Sequence, residues 1–403
     1  MTITVELVYF EAGGGHRAAM KALTAELGRK HTQWAVKATN LQELLLPVDP
    51  VFRAIRIKSQ DVYNGAIARG WTRASRPYLR TMQTAIGLHS KVMERELERH
   101  WERSRPDVVV SLIPNFNGIM FRSLKATSPG TPYLTVMTDI ADTPPRFWHE
   151  PQDQYLICGS DKAYLQARLT GWYRPERVFQ VSGMILSPSF YEAGARPMIT
   201  RESIGLDDAT MTLLISFGGY GSSVASEILD HLNVASVPTQ AIVLCGRNDK
   251  LLASLTGRPG CHAVGFTDRV ADYMRIADVF VGKPGPGSIS EALHIGLPVI
   301  VESNGRTLVQ ERYNVTWVEE QGVGIGLKRF SEIDKALAYL GSDGTLNAYR
   351  TRALALRNRA VFQVPAILDR ILAEQYVAHS SVDISKPSPG YDPSYRCSAI
   401  GYD

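Results

Sequence analysis

The run Met211-Thr212-Leu213-Leu214-Ile215-Ser216-Phe217 followed by Gly218-Gly219-Tyr220-Gly221-Ser222-Ser223 decides the fold. Residues 212–217 form a continuous apolar stretch of strand length, closed by a glycine-rich turn. A helical pattern then continues through Leu232. Upstream, residues 2–10 form a β-rich run that ends in Gly13-Gly14-Gly15-His16, followed by the helical spacing of Met20, Leu23 and Leu27. Further short apolar runs at 108–113, 133–137, 240–245, 262–265, 279–282 and 297–301 alternate with helix-like stretches. Strands apolar throughout, rather than alternating, are those buried on both faces of a parallel sheet. Two such series predict an α/β fold of two Rossmann-like domains.

The pattern is interrupted by Pro, Ser, Gly and Ala between Pro188 and Pro197, so the expected domains are residues 1–190 and 191–345. Residues 346–379 read as one or two helices, broken or kinked at Pro365. Residues 380–403 hold Pro387, Pro389, Gly390 and Pro393 with little apolar content, and are expected to be disordered.

A chain of 403 residues, 44% hydrophobic and 21% charged, matches an ordinary globular protein and excludes collagenous, disordered and disulfide-framework classes. Its net charge of +4 predicts no nucleic-acid partner. The charge is uneven, since residues 50–105 hold twelve Lys or Arg against five acids. Cys158, Cys245, Cys261 and Cys397 are scattered with no ligand spacing, as expected of free thiols in a reducing compartment. The amino terminus shows no signal-peptide pattern, and no apolar run approaches the ~20 residues a membrane-spanning helix needs. A cytoplasmic location with at most peripheral membrane contact is expected.

Three glycine-rich turns are candidates for a ligand, because a strand-to-helix turn lets the backbone approach an anion and aims helix N–H groups at it. The Gly13–His16 turn lacks the G-x-G-x-x-G spacing, and the strand ending near Asn40 carries no acid for a ribose, which disfavours NAD. His16 stands at a helix start, where the dipole disfavours imidazolium. It is either a capping or packing residue or a neutral general base. In Gly282-Lys283-Pro284-Gly285-Pro286-Gly287-Ser288-Ile289-Ser290-Glu291, Ser288 and Glu291 have capping-box spacing. Alternatively, Glu291 accepts from a ribose diol. Gln310 and Glu311 read as ordinary helix-surface residues. No D-x-D occurs in the sequence, so no metal-diphosphate site of that kind is expected.

Taken in order, Gly13–His16, Thr138-Asp139 with Phe147-Trp148-His149, Lys283-Pro284-Gly285 through Ser290-Glu291-Ala292-Leu293, Gly296-Leu297-Pro298-Val299-Ile300 and Gln310-Glu311 resemble the monogalactosyldiacylglycerol synthase and processive diacylglycerol glucosyltransferase family. A more distant similarity is to the peptidoglycan lipid-linked N-acetylglucosaminyltransferase. The resemblance spans about residues 1–375. It implies a GT-B fold, with the two Rossmann-like domains facing across a cleft and the last helix crossing back to the first domain. It implies inverting, metal-independent transfer of a hexose from UDP-galactose or UDP-glucose to a diacylglycerol-like lipid, with no cofactor. Carried onto this sequence, His16 is the general base, and Asp139 is an orienter or second acid/base group. Glu291 binds the ribose, and Gln310 and Glu311 bind the donor sugar. Gly14, Gly15, Gly219, Gly221, Ser222, Lys283, Gly285, Gly287 and Ser288 serve the donor, with Phe266 and Thr267 against the uracil. Two departures stand out, Pro286 and Tyr220, each where the family carries a smaller residue. A UDP-sugar 2-epimerase-like enzyme and a different acceptor are the alternative expectations.

Residues 53–80 combine seven basic residues and one acid with Phe52, Ile55, Ile57, Tyr63, Trp71 and Tyr78 nearby or between them. Such a stretch is either a solvated basic face or an interfacial segment on an anionic membrane. Tyr63-Asn64 and Gly70-Trp71-Thr72 resemble the family's lipid-acceptor region, and with it Arg69, Arg73, Arg76, Arg80 and Trp148 are expected at the acceptor and membrane side.

Overall fold

One parallel six-stranded sheet organises each half of the chain. The computed structural model describes residues 2–11, 14–49, 75–192, 199–305 and 307–383. The first sheet contains β1 (Thr4–Tyr9), β2 (Ala35–Asn40), β3 (Val108–Ser111), β4 (Tyr133–Val136), β5 (Tyr155–Cys158) and β6 (Val178–Gln180), in the order β2-β1-β3-β4-β5-β6. Its connections include α1 (Gly15–Lys30), α2 (Ser75–Ser104), α3 (Asn117–Thr127) and α4 (Asp161–Thr170). The second sheet contains β7 (Met211–Ser216), β8 (Thr239–Gly246), β9 (Cys261–Gly265), β10 (Val279–Gly282), β11 (Val299–Glu302) and β12 (Gly324–Leu327), in the order β12-β11-β10-β7-β8-β9. Around it run α5 (Val224–Leu232), α6 (Asp249–Leu255), α7 (Val270–Arg275), α8 (Pro286–Ile295), α9 (Arg312–Glu320), α10 (Ile333–Gly341) and α11 (Thr345–Ala355), followed by α12 (Ala360–Asp383).

The uninterrupted apolar runs follow from burial on both faces. Along β7, Leu214 packs with Ile242, Phe280 and Leu293 on one side, while Leu213 and Ile215 pack with Val243, Ile228 and Leu337 on the other. Each fully buried side chain of this size contributes roughly 1.5–3 kcal/mol relative to exposure. In the first half, Val8 and Val109 pack against Leu97 and Trp101 of α2 and Met120 of α3.

Topology places the candidate turns. In the first sheet β1 lies between β2 and β3, so the connections leaving β1 and β3 diverge to opposite sides. In the second, β7 lies between β8 and β10, with the same consequence for the turns after β7 and β10. Crevices at the carboxyl ends of such diverging strands are where ligands bind in open α/β sheets.

The described residues up to Pro365 form one compact unit, and those from Ala366 to Asp383 belong to a second. Within the first, residues 358–363 return to the exit of β6: Asn358 Nδ2 donates to the Met184 carbonyl at 2.8 Å, and Ser182 N to Gln363 Oε1 at 2.8 Å. The helical run of 346–379 does not break at Pro365, which lies inside α12. The break falls at residues 356–359 instead, where Arg357 takes φ 45°. The 384–403 segment lies outside the described residues. Among the described residues, no helix is long and apolar enough to cross a membrane.

Candidate functional site

A cleft of about 750 Å³ lies where the diverging turns of both sheets meet. From the first half, Gly14 caps α1 with φ 84°, a conformation that costs glycine nothing. That cap brings Gly15 and His16 to the cleft wall. His16 Nδ1 lies 3.1 Å from Thr138 Oγ1, and its ring meets Phe10 and Trp148 at centroid distances of 6.1 and 6.2 Å. Burial holds the imidazole down to about pKa 4, against a smaller upward pull from the Leu112 backbone. The ring is neutral at physiological pH and retains one lone pair able to take a proton.

Asp139 follows Thr138 at the end of β4 and also lines the cleft. Trp148 Nε1 donates to Asp139 Oδ2 at 2.8 Å. Burial pushes the carboxyl up to about pKa 7, with the Trp148 hydrogen bond opposing it, Glu311 adding to it and Lys283 opposing it again. Asp142 fixes this loop by accepting from the backbone N–H groups of Arg146, Phe147 and Trp148 at 2.9, 2.9 and 2.7 Å.

From the second half, Gly218, Gly219 and Tyr220 line the cleft after β7. Lys283, Gly285, Pro286, Gly287 and Ser288 line it after β10. Lys283 Nζ donates to Glu311 Oε1 at 2.7 Å. Burial disfavours the ammonium, but Glu311 and Asp139 outweigh it and hold its pKa above the ordinary lysine value. Asp139 of one half and the Lys283–Glu311 pair of the other therefore act on one another across the cleft. Gln310 and Glu311 lie on the single turn Val309–Glu311 that precedes α9, not within a helix face; Gln310 lines the cleft, and its buried Oε1 has no hydrogen-bond partner among the described residues.

The Ser288–Glu291 pair is not a capping box. Gly285 is the N-cap of α8 and Pro286 its first residue, so Ser288 and Glu291 stand one turn further in. The reason is local, because Pro286 presets the first helical φ at a position whose N–H would have no partner anyway. With Pro286 as the first residue, the N–H groups of Gly287 and Ser288 still head the helix. Glu291 is half-buried on the cleft wall, and burial alone raises its carboxyl to about pKa 7.

Several expected residues stand elsewhere. Gly221 and Ser222 are not among the residues lining the cleft. Gly221, at φ 62°, is instead pressed to the β8 exit, where a Cβ would meet the Cys245 carbonyl oxygen at 2.3 Å. Trp148 is fully buried, which takes it off the membrane side and makes it a support for Asp139. Phe266 and Thr267 do line the cleft, with the Arg247 guanidinium 4.8 Å from the Phe266 ring centroid. Tyr63, Arg69, Trp71 and Arg73 lie outside the described residues, as does Gly13; Arg76 and Arg80 fall on α2, where only backbone is described.

One part of the cleft escaped sequence reasoning. Phe10, Leu41, Leu45, Ile86, Met93 and Phe116 form an apolar wall at its first-half end. Ile86 and Met93 sit seven residues apart on one face of α2, a helical spacing that signals core equally well.

Residues 221–350 match the glycosyltransferase family 28 C-terminal domain. Over 347 residues the chain is 27% identical to monogalactosyldiacylglycerol synthase 1 of Arabidopsis thaliana, covering 83% of this chain and 64% of that protein. Against the monogalactosyldiacylglycerol synthase of Spinacia oleracea it is 27% identical over 387 residues, or 92% of this chain and 73% of that one. The match thus spans less than two thirds of the Arabidopsis protein's length. Among solved structures, MurG of Acinetobacter baumannii superposes with a TM-score of 0.60 at 12% identity, covering 92% of this chain and all of that one. CalG4, the calicheamicin glycosyltransferase, gives 0.57 at 13%, over 93% of this chain and 98% of its own. These structural likenesses establish the GT-B fold. Residues 221–350 thus match a glycosyltransferase family 28 C-terminal domain on a GT-B fold, and over most of its length the chain is similar to the monogalactosyldiacylglycerol synthases.

Proposed function

We infer that the protein moves a hexose, galactose or glucose, from a UDP-sugar to diacylglycerol or a related lipid at a membrane surface, with inversion and without a catalytic metal. The observation that carries this is the convergence across one cleft of a neutral, shielded imidazole at His16 with the Lys283–Glu311 pair, the half-buried Glu291 and two glycine-rich turns. His16 takes the proton of the acceptor hydroxyl as that oxygen attacks the anomeric carbon. The bond from that carbon to the diphosphate breaks on the opposite face, and UDP leaves. Asp139, held by Trp148, orients the hydroxyl. Backbone N–H groups at Gly218, Gly219, Gly287 and Ser288 meet the developing diphosphate charge, with Lys283 beside them. Glu291 accepts from the ribose diol, Phe266 and Thr267 flank the uracil, and Gln310 and Glu311 hold the sugar hydroxyls. The apolar wall from Phe10 to Phe116 takes the acyl part of the acceptor, and the basic 53–80 segment meets anionic lipid.

The test is UDP release from UDP-galactose and from UDP-glucose, with and without diacylglycerol in anionic mixed micelles. UDP and a glycolipid formed only with lipid present are expected. UDP release without any acceptor points to an epimerase-like or hydrolytic reaction and overturns the acceptor assignment.

A further inference from the structure

Arg247 follows β8 directly and takes no part in the transfer chemistry proposed above. Its backbone N–H donates to the Gly219 carbonyl at 2.9 Å. At the preceding Gly246, which has φ 56°, a Cβ would meet that same carbonyl oxygen at 2.4 Å. The exit of β8 is therefore pressed onto the glycine-rich turn after β7, and the Arg247 side chain starts from the rim of that turn. Arg247 lines the cleft, as do Gly218, Gly219 and Phe266.

Charge singles this residue out. Seven acids line the cleft against four cations, Arg17, Lys21, Arg247 and Lys283, so a diphosphate entering it needs a cation not already spent on an acid. Arg17 is held by Glu11 at 3.1 Å and Lys283 by Glu311 at 2.7 Å. Lys21 stands on α1, in the first half. Among the described residues Arg247 meets no acid within ion-pair distance, and its guanidinium lies instead 4.8 Å from the centroid of the Phe266 ring. That ring is 59% exposed, and a cation over an exposed ring is held weakly. Phosphate oxygens offer a guanidinium stronger, charge-assisted and bidentate hydrogen bonds.

We propose that Arg247 is a specificity residue of the donor site: a nucleoside diphosphate draws its guanidinium off the Phe266 ring and onto the phosphates, and the base takes the vacated ring face. The exchange rests on the donor half of the function proposed above and deepens it. Its consequence is selectivity. With a diphosphate, the new ion pair more than offsets the lost ring contact. A nucleoside carries no charge and must displace the cation with nothing in return. Arg247 thus favours UDP over uridine twice, by attracting the one and by obstructing the other.

Titration of the full chain with UDP, UMP and uridine, in the wild type, Arg247→Ala and Arg247→Lys, tests the exchange. Calorimetry follows the nucleotides, ligand-observed NMR follows the weaker uridine, and a melting temperature checks that each variant is folded. Arg247→Ala is expected to weaken UDP about tenfold or more and to tighten uridine about two- to fivefold, with UMP weakened less than UDP. Arg247→Lys keeps the charge and should keep most of the UDP affinity. The difference between the wild type and Arg247→Ala toward UDP should shrink as salt rises. Equal weakening of UDP and uridine would make Arg247 a support for Phe266 and overturn the proposal. Unchanged UDP binding would show that the guanidinium never reaches the phosphates, and would overturn it too. Uridine unmoved, or bound by neither protein, overturns the exchange at the ring even where UDP weakens. If the wild type binds no UDP, the donor reading itself has failed and Arg247 falls with it; in every other outcome that reading stands.

Discussion

The two halves open alike, with a strand, a glycine-rich turn and a helix, yet they prepare opposite chemistry at that turn. After β1 the turn delivers a side chain: His16, shielded and held down to about pKa 4, with Thr138 and Asp139 beside it. After β7 the turn delivers backbone, as Gly218 and Gly219 line the cleft while Gly221 is locked against Cys245. The second half's side chains come from the other side of its switch point, on Lys283 and Glu291. The same topology thus sets an uncharged imidazole on one side of the cleft and a glycine-rich stretch of backbone on the other. The difference lies in which residue follows the last glycine.

If that division of labour is right, substitutions in the two halves separate cleanly in kinetics. The largest effect is expected from His16→Ala, which should lower kcat by about 10²–10⁴-fold, the usual contribution of a general base. UDP affinity, measured by calorimetry on the same variant, should stay within twofold. A variant that loses UDP binding along with turnover would show that the first turn is part of the donor site, and the contrast would collapse.

Asp139 sharpens the same contrast. Its carboxyl titrates near pH 7, whereas His16 is already neutral above about pH 4. The profile of kcat/KM should therefore carry a limb near pH 7 that belongs to Asp139 and disappears in Asp139→Asn, with activity reduced at all pH values. Persistence of that limb in the variant would assign it to another group, with Glu291 next in line because its carboxyl titrates in the same range.

The fold was legible because burial on both faces leaves a mark in composition. Residues 212–217, 108–113 and 279–282 could hardly be read as anything but interior strands, and the structure places β7, β3 and β10 there within a residue or two. The strands β5, β6 and β12 were missed: Tyr155–Cys158 and Val178–Gln180 are only four and three residues long, and Gly324–Leu327 alternates glycine with apolar residues at the sheet edge. At the site, spacing alone misled where a short-range rule had two solutions. Ser288 and Glu291 fit a capping box, but Pro286 starts the helix earlier, and a helix has only one N-cap. Trp148 looked like an interfacial aromatic until Asp139 was seen to accept from its indole. The cleft's apolar wall could not be read from sequence because it assembles residues from β1, the turns after β2 and β3, and α2.

The smallest expected effect comes from Glu291→Gln, and its sign is informative. In the folded protein the carboxyl is raised to about pKa 7, by burial alone, from an ordinary value of 4.5. Near pH 5 it is protonated when folded and mostly ionised when unfolded; above pH 7 it is ionised in both states. The raised value means that folding binds a proton, so its contribution to stability is full below the unfolded pKa and falls away as pH rises through 7. Glutamine, which never ionises, escapes that loss. Glu291→Gln should therefore raise the melting temperature by a few degrees at pH 8, with the gain shrinking toward pH 5, while UDP affinity falls about tenfold through the weaker ribose contact. Greater stability with unchanged UDP binding would leave Glu291 as a carboxylate the cleft merely tolerates. Weaker UDP binding with no gain in stability would mean that water or a neighbour already relieves its burial.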